Sequence, residues 1–497
     1  GLSQVNYNRV MSAIASYCGS TAVLVSAHQS IGVPQPLKMY GTEAQKNKFM
    51  PRFAQGAISA FALTEPEVGS DPANLSTTAV LSEDGSHYIL NGTKLWCTNG
   101  PIADLLVVMA LTPAKIVNGR ERKQITAFVV EGNSPGIEVL HRCDFMGLRG
   151  IHNGLLKFTN VKVPAENLIW GEGRGLALAL GTLNAGRLTL PAACGGLAKA
   201  CLHIARRWGN ERVQWGSPIG RHEEGSQKLA FIASSTLAIE AVTWISSIWV
   251  DRADVDIRIE AAMAKYFCTE LAWDIIDTTL QFRGGRGYER AASLKARGEE
   301  PFPVERMMRD CRINKIIEGT SEIMRLFLAR EAMDPHLKRL GVLLKKSSST
   351  GDKLQGALGL VGFYATWLPK QFINGSLFAG HSDTGTLAPH VKFVDRYAHK
   401  LARVLFLKMG RYQQALEQKQ MLLARVVDIG TELFAMAATC SYAIHLEKTG
   451  QKGAISLANH FCTLATRRVK ASFKALSDND DGLGNRVAAD ILDGKLR

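Results

Sequence analysis

The feature that most constrains this chain is a change of hydrophobic period at about Phe61, followed by a second change after Pro164. Residues 7–30 mix Ala, Val and Ile with small polar residues and carry no turn signal, which predicts a buried helix. Gly32 to Pro36 breaks it, and GTEAQKNKFMPRFAQG predicts a second short helix, capped near Thr42 and ended around Gly56. From Phe61 to about Val163 the apolar residues alternate in short runs such as DLLVVMAL, QITAFVVEG and GLLKFTNVKV, with turn signals at Asp84-Gly85 and Asn91-Gly92. That pattern predicts a mostly antiparallel β domain. Three long helical runs follow, starting near Gly175, Glu224 and Arg258, and a fourth follows Thr320. Four long helices in succession predict a bundle.

A chain of 497 residues exceeds one ordinary core. The expected domains are residues 1–60, 61–163, 164–340 and 341–497, with the polar joint KKSSSTGDK leading into the last. Hydrophobic content of 46% with 21% charged residues excludes a disordered chain. The apolar run FIASSTLAIEAVTWIS carries Glu240 and many small polar residues, so no membrane span is expected. Nine cysteines are scattered and never spaced C-x-x-C, which argues against a disulfide framework and against a metal site, and for a reducing compartment.

Charge is uneven. Residues 341–497 hold 21 Lys+Arg against 12 Asp+Glu, so +9 of the net +14 lies there. Such a tail suits nucleic acid, an anionic membrane surface or an acidic partner, and equally a solvated face. Within it Val394, Tyr397, Leu401, Val404 and Leu405 share one helical face, with Arg396, His399, Lys400 and Arg403 opposite.

One carboxylate stands out. In NKIIEGTSEIMR, Glu318 lies at the edge of an apolar run, ahead of a Gly-Thr-Ser turn. A helix start explains Thr320 or Ser321 as N-cap and Glu322 in the first turn, but says little about Glu318. The second reading is a base whose pKa is raised by desolvation until it can take a proton from carbon. The fragment alone leaves both open.

Six motifs in order narrow the choice: FALTEPEVGSD (61–71), LNGTKLWCTNG (90–100), DFMGLRG (144–150), NERVQWGSPIG (210–220), QFRGGRGY (281–288) and RDCRINKIIEGTSEIMR (309–325). Together they resemble the acyl-CoA dehydrogenase family over roughly residues 1–340, and the helical remainder resembles its very-long-chain type. The resemblance implies an α+β fold: an N-terminal helical domain, a middle antiparallel β domain, a C-terminal four-helix bundle and an extra helical domain. The first is expected to be partial, because family members carry further helices before the segment at Tyr7.

It also implies FAD. Phe61, Leu63, Thr64 and Ser70 match the stretch along the flavin ring, with Ser70 where flavin meets the pantetheine of CoA. Trp96 is expected to cover the ring and Thr98 to reach its N5 side. Arg212, Gln281, Gly284 and Gly285 match the grip on pyrophosphate and adenine across a subunit interface, and Thr320 and Glu322 complete the cofactor set. Trp215 replaces the usual Phe, and Glu223 replaces a Gln whose contact is therefore not carried over. Arg187 matches the substrate arginine, Asn184 replaces an acid beside it, and Ser70 and Gly319 complete the expected substrate set. Some relatives keep the base on the helix holding Gly186, where this chain offers no carboxylate, so the implied base is Glu318.

The implied reaction is α,β-dehydrogenation of an acyl-CoA thioester, with Glu318 removing the Cα proton and flavin N5 accepting hydride from Cβ. The thioester carbonyl is expected to be held by the Glu318 N–H and the ribityl 2′-hydroxyl. The expected partners are acyl-CoA, an electron-transferring flavoprotein and further copies of the chain, as homodimer or homotetramer; peripheral membrane contact through the basic extension is an added option. The location implied is cytoplasmic in a bacterium and mitochondrial in a eukaryote. Competing readings are an oxygen-using acyl-CoA oxidase, a DNA-binding alkylation-response flavoprotein of the same fold and a respiratory-assembly scaffold. The intact base and arginine favour the enzyme, and DNA is not an expected partner.

Overall fold

The computed structural model describes residues 2–117, 119–252, 255–344, 350–372 and 382–496. The chain forms two compact units, one of Gly1–Ile232 with Ser246–Thr320, the other of Ala233–Ile245 with Ser321–Arg497.

The first unit opens with α1 (Gln4–Tyr17), α2 (Gly19–Ser26), a π-helical turn over Ala27–Ile31, α3 (Pro34–Tyr40) and α4 (Glu43–Ala54). The single helix expected over 7–30 is therefore interrupted: Cys18 is extended, at φ −148° and ψ 110°. Beside the break Gly19 packs closely on Asp310, whose Cβ would lie 3.1 Å from a Cβ added there. Helix α4 is capped as its sequence predicts, with reciprocal hydrogen bonds between Thr42 and Gln45.

The eight-stranded sheet has the order β6-β7-β3-β2-β4-β5-β8, with β1 on β4. Its strands are β1 (Ser59–Ala62), β2 (Thr78–Leu81), β3 (His87–Thr98), β4 (Leu105–Val117), β5 (Arg120–Glu131), β6 (Ile137–Arg142), β7 (Asn153–Pro164) and β8 (Leu168–Ile169). Pairing is antiparallel except for β1 and β2 on β4. The run LLVVMAL of β4 is apolar on both faces because both are buried. Leu105, Val107 and Met109 join a core with Leu37, Phe49 and Leu178, while Leu106, Val108 and Ala110 join one with Tyr88, Leu156 and Phe158. Each buried Leu, Val, Met or Phe here contributes about 1.5–3 kcal/mol. Asp84-Gly85 does turn β2 into β3, but Asn91-Gly92 does not turn: it lies inside β3 at a register shift between Leu90 and Gly92. At φ +153°, Gly92 lets Thr77 approach so closely that an added Cβ would sit 2.4 Å from its hydroxyl.

Helices α5 (Gly175–Glu211), α6 (Glu223–Asp251) and α7 (Arg258–Arg283) follow, with a hairpin of β9 (Val213–Gln214) and β10 (Ser217–Pro218) between the first two. Short helices α8 (Gly285–Tyr288), α9 (Ala291–Ala296) and α10 (Val304–Arg312) lead to the Glu318 turn. Contrary to the sequence expectation, α5 and α6 are long and apolar enough to cross a membrane; 72% and 61% of their apolar windows are buried within the protein, as in core helices.

The second unit holds α11 (Ser321–Leu344), α12 (Thr350–Lys370), α13 (Ala388–Tyr412), α14 (Gln420–Lys448), α15 (Ala454–Ala475) and α16 (Asp481–Leu492). The domain boundary expected after residue 340 falls inside α11, and part of the joint KKSSSTGDK lies outside the described residues. On α13 the apolar face turns inward: Leu405 is buried, and Tyr397 meets Phe473 of α15 edge-on at 5.4 Å. Three ion pairs tie the helices: Arg325–Asp428 at 2.9 Å, Arg425–Asp481 at 2.6 Å and Arg468–Glu432 at 2.6 Å.

Candidate active site

Glu318 sits in a tight turn after the 3-10 turn Ile313–Lys315, at φ +56°, with Gly319 next at φ +100°. Left-handed backbone at a non-glycine residue is costly and marks a turn held by its surroundings. One holding contact comes from α7: Lys265, fully buried, donates from Nζ to the Gly319 carbonyl at 2.7 Å. The Glu318 carboxyl faces α5, where a Cβ added to Gly186 would lie 3.0 Å from Oε1 and 2.8 Å from the end of Ile31. Its other oxygen, Oε2, is buried and accepts no hydrogen bond.

Burial raises this carboxyl to about 7, against the opposing charges of Lys265 and Arg187. Burial likewise lowers the Arg187 guanidinium, with Glu318 acting the other way. Arg187 is buried on α5 and donates to Asn184 Oδ1 at 2.9 Å. Glu318, far in sequence from α5, thus interacts with Arg187, which Asn184 holds from one turn away on the same helix. Sequence reasoning missed two members. Lys265 lies in AAMAKYFC, a lone cation in an apolar helix, the same anomaly that singled out Glu318. Tyr7 of α1 has its hydroxyl raised by burial, with Glu318 adding to the shift, and accepts from Ser30 Oγ at 3.0 Å.

A second group surrounds the ends of β1 and β3. Phe61 pairs with Val107 inside the sheet. The Leu95 N–H donates to the Thr64 carbonyl at 2.9 Å. Lys94 Nζ reaches the Leu63 carbonyl at 3.1 Å and Glu65 Oε1 at 2.8 Å, both side chains of the ion pair being buried. Glu65 also accepts from the backbone and hydroxyl of Ser76 (2.6 and 2.7 Å) and of Thr77 (3.0 and 2.6 Å). Burial works to raise this carboxyl, but Lys94 and those donors outweigh it and hold it at about 2. Ser70 ends the loop in solvent. Trp96, at φ +53°, bulges out of β3 between Lys94 and Cys97 and is 57% exposed. Thr98 Oγ1 accepts from Asn153 Nδ2 at 3.0 Å. Phe61, Leu63, Thr64, Trp96 and Thr98 therefore form one pinned edge.

A third group lies at the end of α5. Arg212, Arg283 and Arg286 gather at 5.8, 4.8 and 5.3 Å from the Trp208 ring, whose Nε1 donates to the Phe282 carbonyl. Gln281 is exposed near the end of α7, and Gly284, at φ +62°, stops that helix. Added Cβ atoms at Gly284 and Gly285 would meet nothing within 4 Å. Trp215 tips the β9–β10 hairpin at 91% exposure, and Glu223 begins α6 in solvent. Thr320 follows the Glu318 turn half-buried, whereas Glu322 is exposed in the first turn of α11, in the other compact unit.

A cavity of about 520 Å³ opens beside α5 and α10, lined among others by Ala22, Val23, Leu197, Ala200 and Asn314, the last four residues before Glu318.

Comparison with known proteins identifies the domains in order. Family models for the N-terminal, middle and C-terminal domains of acyl-CoA dehydrogenase match residues 1–57, 60–161 and 173–333, and that for the ACAD9/ACADV C-terminal domain matches 386–493. The chain is 52% identical, over 99% of its length and 76% of the relative's, to the probable acyl-CoA dehydrogenase FadE10 of Mycobacterium tuberculosis. It is 34% identical to the rat mitochondrial very long-chain specific acyl-CoA dehydrogenase, over 96% of this chain and 72% of that protein. Among solved structures, an acyl-CoA dehydrogenase from Bacillus anthracis complexed with FAD superposes with TM-score 0.79 at 28% identity, covering 98% of this chain and 81% of that one.

Proposed function

Because this chain belongs to the acyl-CoA dehydrogenase family, we propose that it converts a long-chain acyl-CoA to the trans-2-enoyl-CoA and passes the electrons to an electron-transferring flavoprotein. The cofactor of the family is FAD, and the residues present suit it. The pinned edge offers an exposed indole and hydroxyls, the arginine cluster at Trp208 suits an anionic pyrophosphate, and Gly284-Gly285 leaves room for close backbone approach. In this reading Phe61, Leu63, Thr64, Ser70, Trp96 and Thr98 hold the flavin end, while Arg212, Gln281, Gly284 and Gly285 act on the FAD of a neighbouring subunit in a homodimer or homotetramer. Bound FAD supplies the acceptor for the hydride leaving Cβ.

The observation that carries the reading is the Glu318 carboxyl: desolvated, raised to about 7 and without a hydrogen-bond partner on Oε2. A base with its pKa near neutrality joins the right protonation state to a strong pull on the proton. Glu318 takes the Cα proton, its backbone N–H helps hold the thioester oxygen, and Arg187 with Asn184 orients the CoA portion. The bare Cα of Gly186 lets Ile31 and the Glu318 carboxyl approach α5 closely. Gly186→Ala is expected to keep the fold, since the end of Ile31 can move, but to slow flavin bleaching by up to about 10²-fold by misplacing base or substrate. Rapid-mixing kinetics check this.

Support for long chains comes from the very-long-chain relative. The location proposed is that of the relatives, the cytoplasm of a bacterium or a mitochondrion. The test is anaerobic titration of the FAD-loaded chain with saturated acyl-CoAs of graded length, following flavin absorbance. Complete bleaching at near-stoichiometric long-chain thioester is expected, with weaker response to short ones. A flavin unresponsive at every length overturns the dehydrogenase reading, and rapid peroxide formation under air turns it into an oxidase.

A further inference from the structure

Lys265 stands apart from every motif by which the chain is recognised, yet its placement is among the most constrained in the first unit. Ala261, Ala262, Ala264, Tyr266, Phe267 and Cys268 around it are all buried, as is its own side chain. A lysine so placed forfeits its hydration and persists only where something repays the loss. The ammonium makes its hydrogen bond to the Gly319 carbonyl, at 2.7 Å, one residue beyond Glu318 and not to the carboxylate itself. The Glu318 Oε2 atom stays free of partners.

We propose that Lys265 is a positioning residue for the base: its hydrogen bond locks the left-handed Glu318-Gly319 turn toward α5, and its charge holds Glu318 ionisable while leaving both carboxylate oxygens available to substrate. The proposal rests on Glu318 being the base. Two features support a role beyond packing. A methionine would fill the same apolar space without any desolvation cost, and a direct Lys–Glu bond would occupy the atom that has to receive the proton. The geometry avoids both. The groups that face this pair are Arg187 and Cys194 of α5, Glu270 of α7 and Tyr7 of α1, with Lys315 paired to Glu270 at 2.6 Å. Burial lowers the Lys265 ammonium to about 8, so it is mostly charged at neutral pH, when Glu318 begins to ionise. Removing this cation leaves Arg187 as the other charge that favours the ionised base.

The test uses the full-length, FAD-loaded chain and three variants: Lys265→Met, which removes bond and charge; Lys265→Gln, which keeps a donor of shorter reach without charge; and Glu318→Gln as control. Two quantities are read across pH: the rate of anaerobic flavin bleaching by a long-chain acyl-CoA, and the protonation of Glu318 itself, from the infrared carboxyl band that Glu318→Gln removes, measured without substrate. Both lysine variants should titrate Glu318 at least one unit higher than the parent, a tenfold smaller ratio of ionised to neutral carboxyl at neutral pH. Lys265→Gln should regain rate as pH rises, and Lys265→Met should stay slow at every pH. If Lys265→Met misfolds, the infrared titration of Lys265→Gln decides. A Glu318 band that titrates in the lysine variants as in the parent overturns the inference, as does a parental pH–rate profile in Lys265→Met. Full bleaching by Glu318→Gln would instead remove the reading of Glu318 as base, so the two failures are distinct.

Discussion

Glu318→Gln is expected to retain FAD and to lose about 10²–10⁴-fold in the rate of anaerobic flavin bleaching by acyl-CoA, the range a positioned general base supplies. The amide matches the carboxylate in shape. Since Oε2 accepts no hydrogen bond, the substitution strands no donor in the protein. What disappears is the proton-accepting group together with its charge opposite Lys265 and Arg187. The same substitution has a signature in stability. The carboxyl titrates near 7 in the folded chain, above its ordinary 4.5. The unfolded chain therefore releases this proton first, and folding weakens as pH rises from about 4.5 to 7, then levels. Glutamine removes that penalty. Its melting temperature should exceed the parent's above pH 7 and converge with it toward pH 4.5. Rapid-mixing absorbance measures the first effect and thermal melts of the apoprotein the second. Unimpaired bleaching would end the assignment.

The second large effect is expected at Lys94. Its ion pair with Glu65 is buried at both ends, and its ammonium also holds the Leu63 carbonyl. Lys94→Met leaves a carboxylate without its cation inside the sheet, which costs about 3–5 kcal/mol where such pairs are broken. It also frees the loop that carries Leu63 and Thr64, so FAD should be lost in the same step. Glu65 lies at about 2, below its ordinary value, so the stabilisation it brings is present above about 4.5 and lost as pH falls toward 2. Urea denaturation of the apoprotein and the flavin-to-protein ratio after gel filtration report the two losses. Adding Glu65→Gln to Lys94→Met should recover part of the stability, because no unpaired charge remains. A Lys94→Met protein with parental stability and full flavin would show that this clamp does not hold the loop.

Helix α4, the antiparallel sheet and the long helices were legible because each rests on local rules: Thr42 and Gln45 cap one end, apolar periods change from 3.6 to 2, and Asp84-Gly85 turns a hairpin. The errors fell where distant chain decides. Asn91-Gly92 has turn composition, but it is a bulge because Thr77 packs against the glycine. Residues 7–30 have one helical texture, but Cys18 is extended at the point where Gly19 packs on Asp310. The apolar windows of α5 and α6 satisfy a membrane helix by composition, and burial within the protein accounts for them.

The linear order of residues by itself determined the α-then-β-then-helical succession, the family and the suspicion attached to Glu318, since hydrophobic period and motif spacing are written along the chain. Tertiary structure alone decided that the Glu318 carboxyl faces Gly186, that Arg187 and Asn184 join it, and that Lys265 reaches the next carbonyl. The physical reason is that desolvation and Coulomb interaction depend on distance in space. A carboxylate becomes a base near neutrality through what surrounds it, and its surroundings come from Tyr7, Arg187 and Lys265, on three helices distant in the sequence.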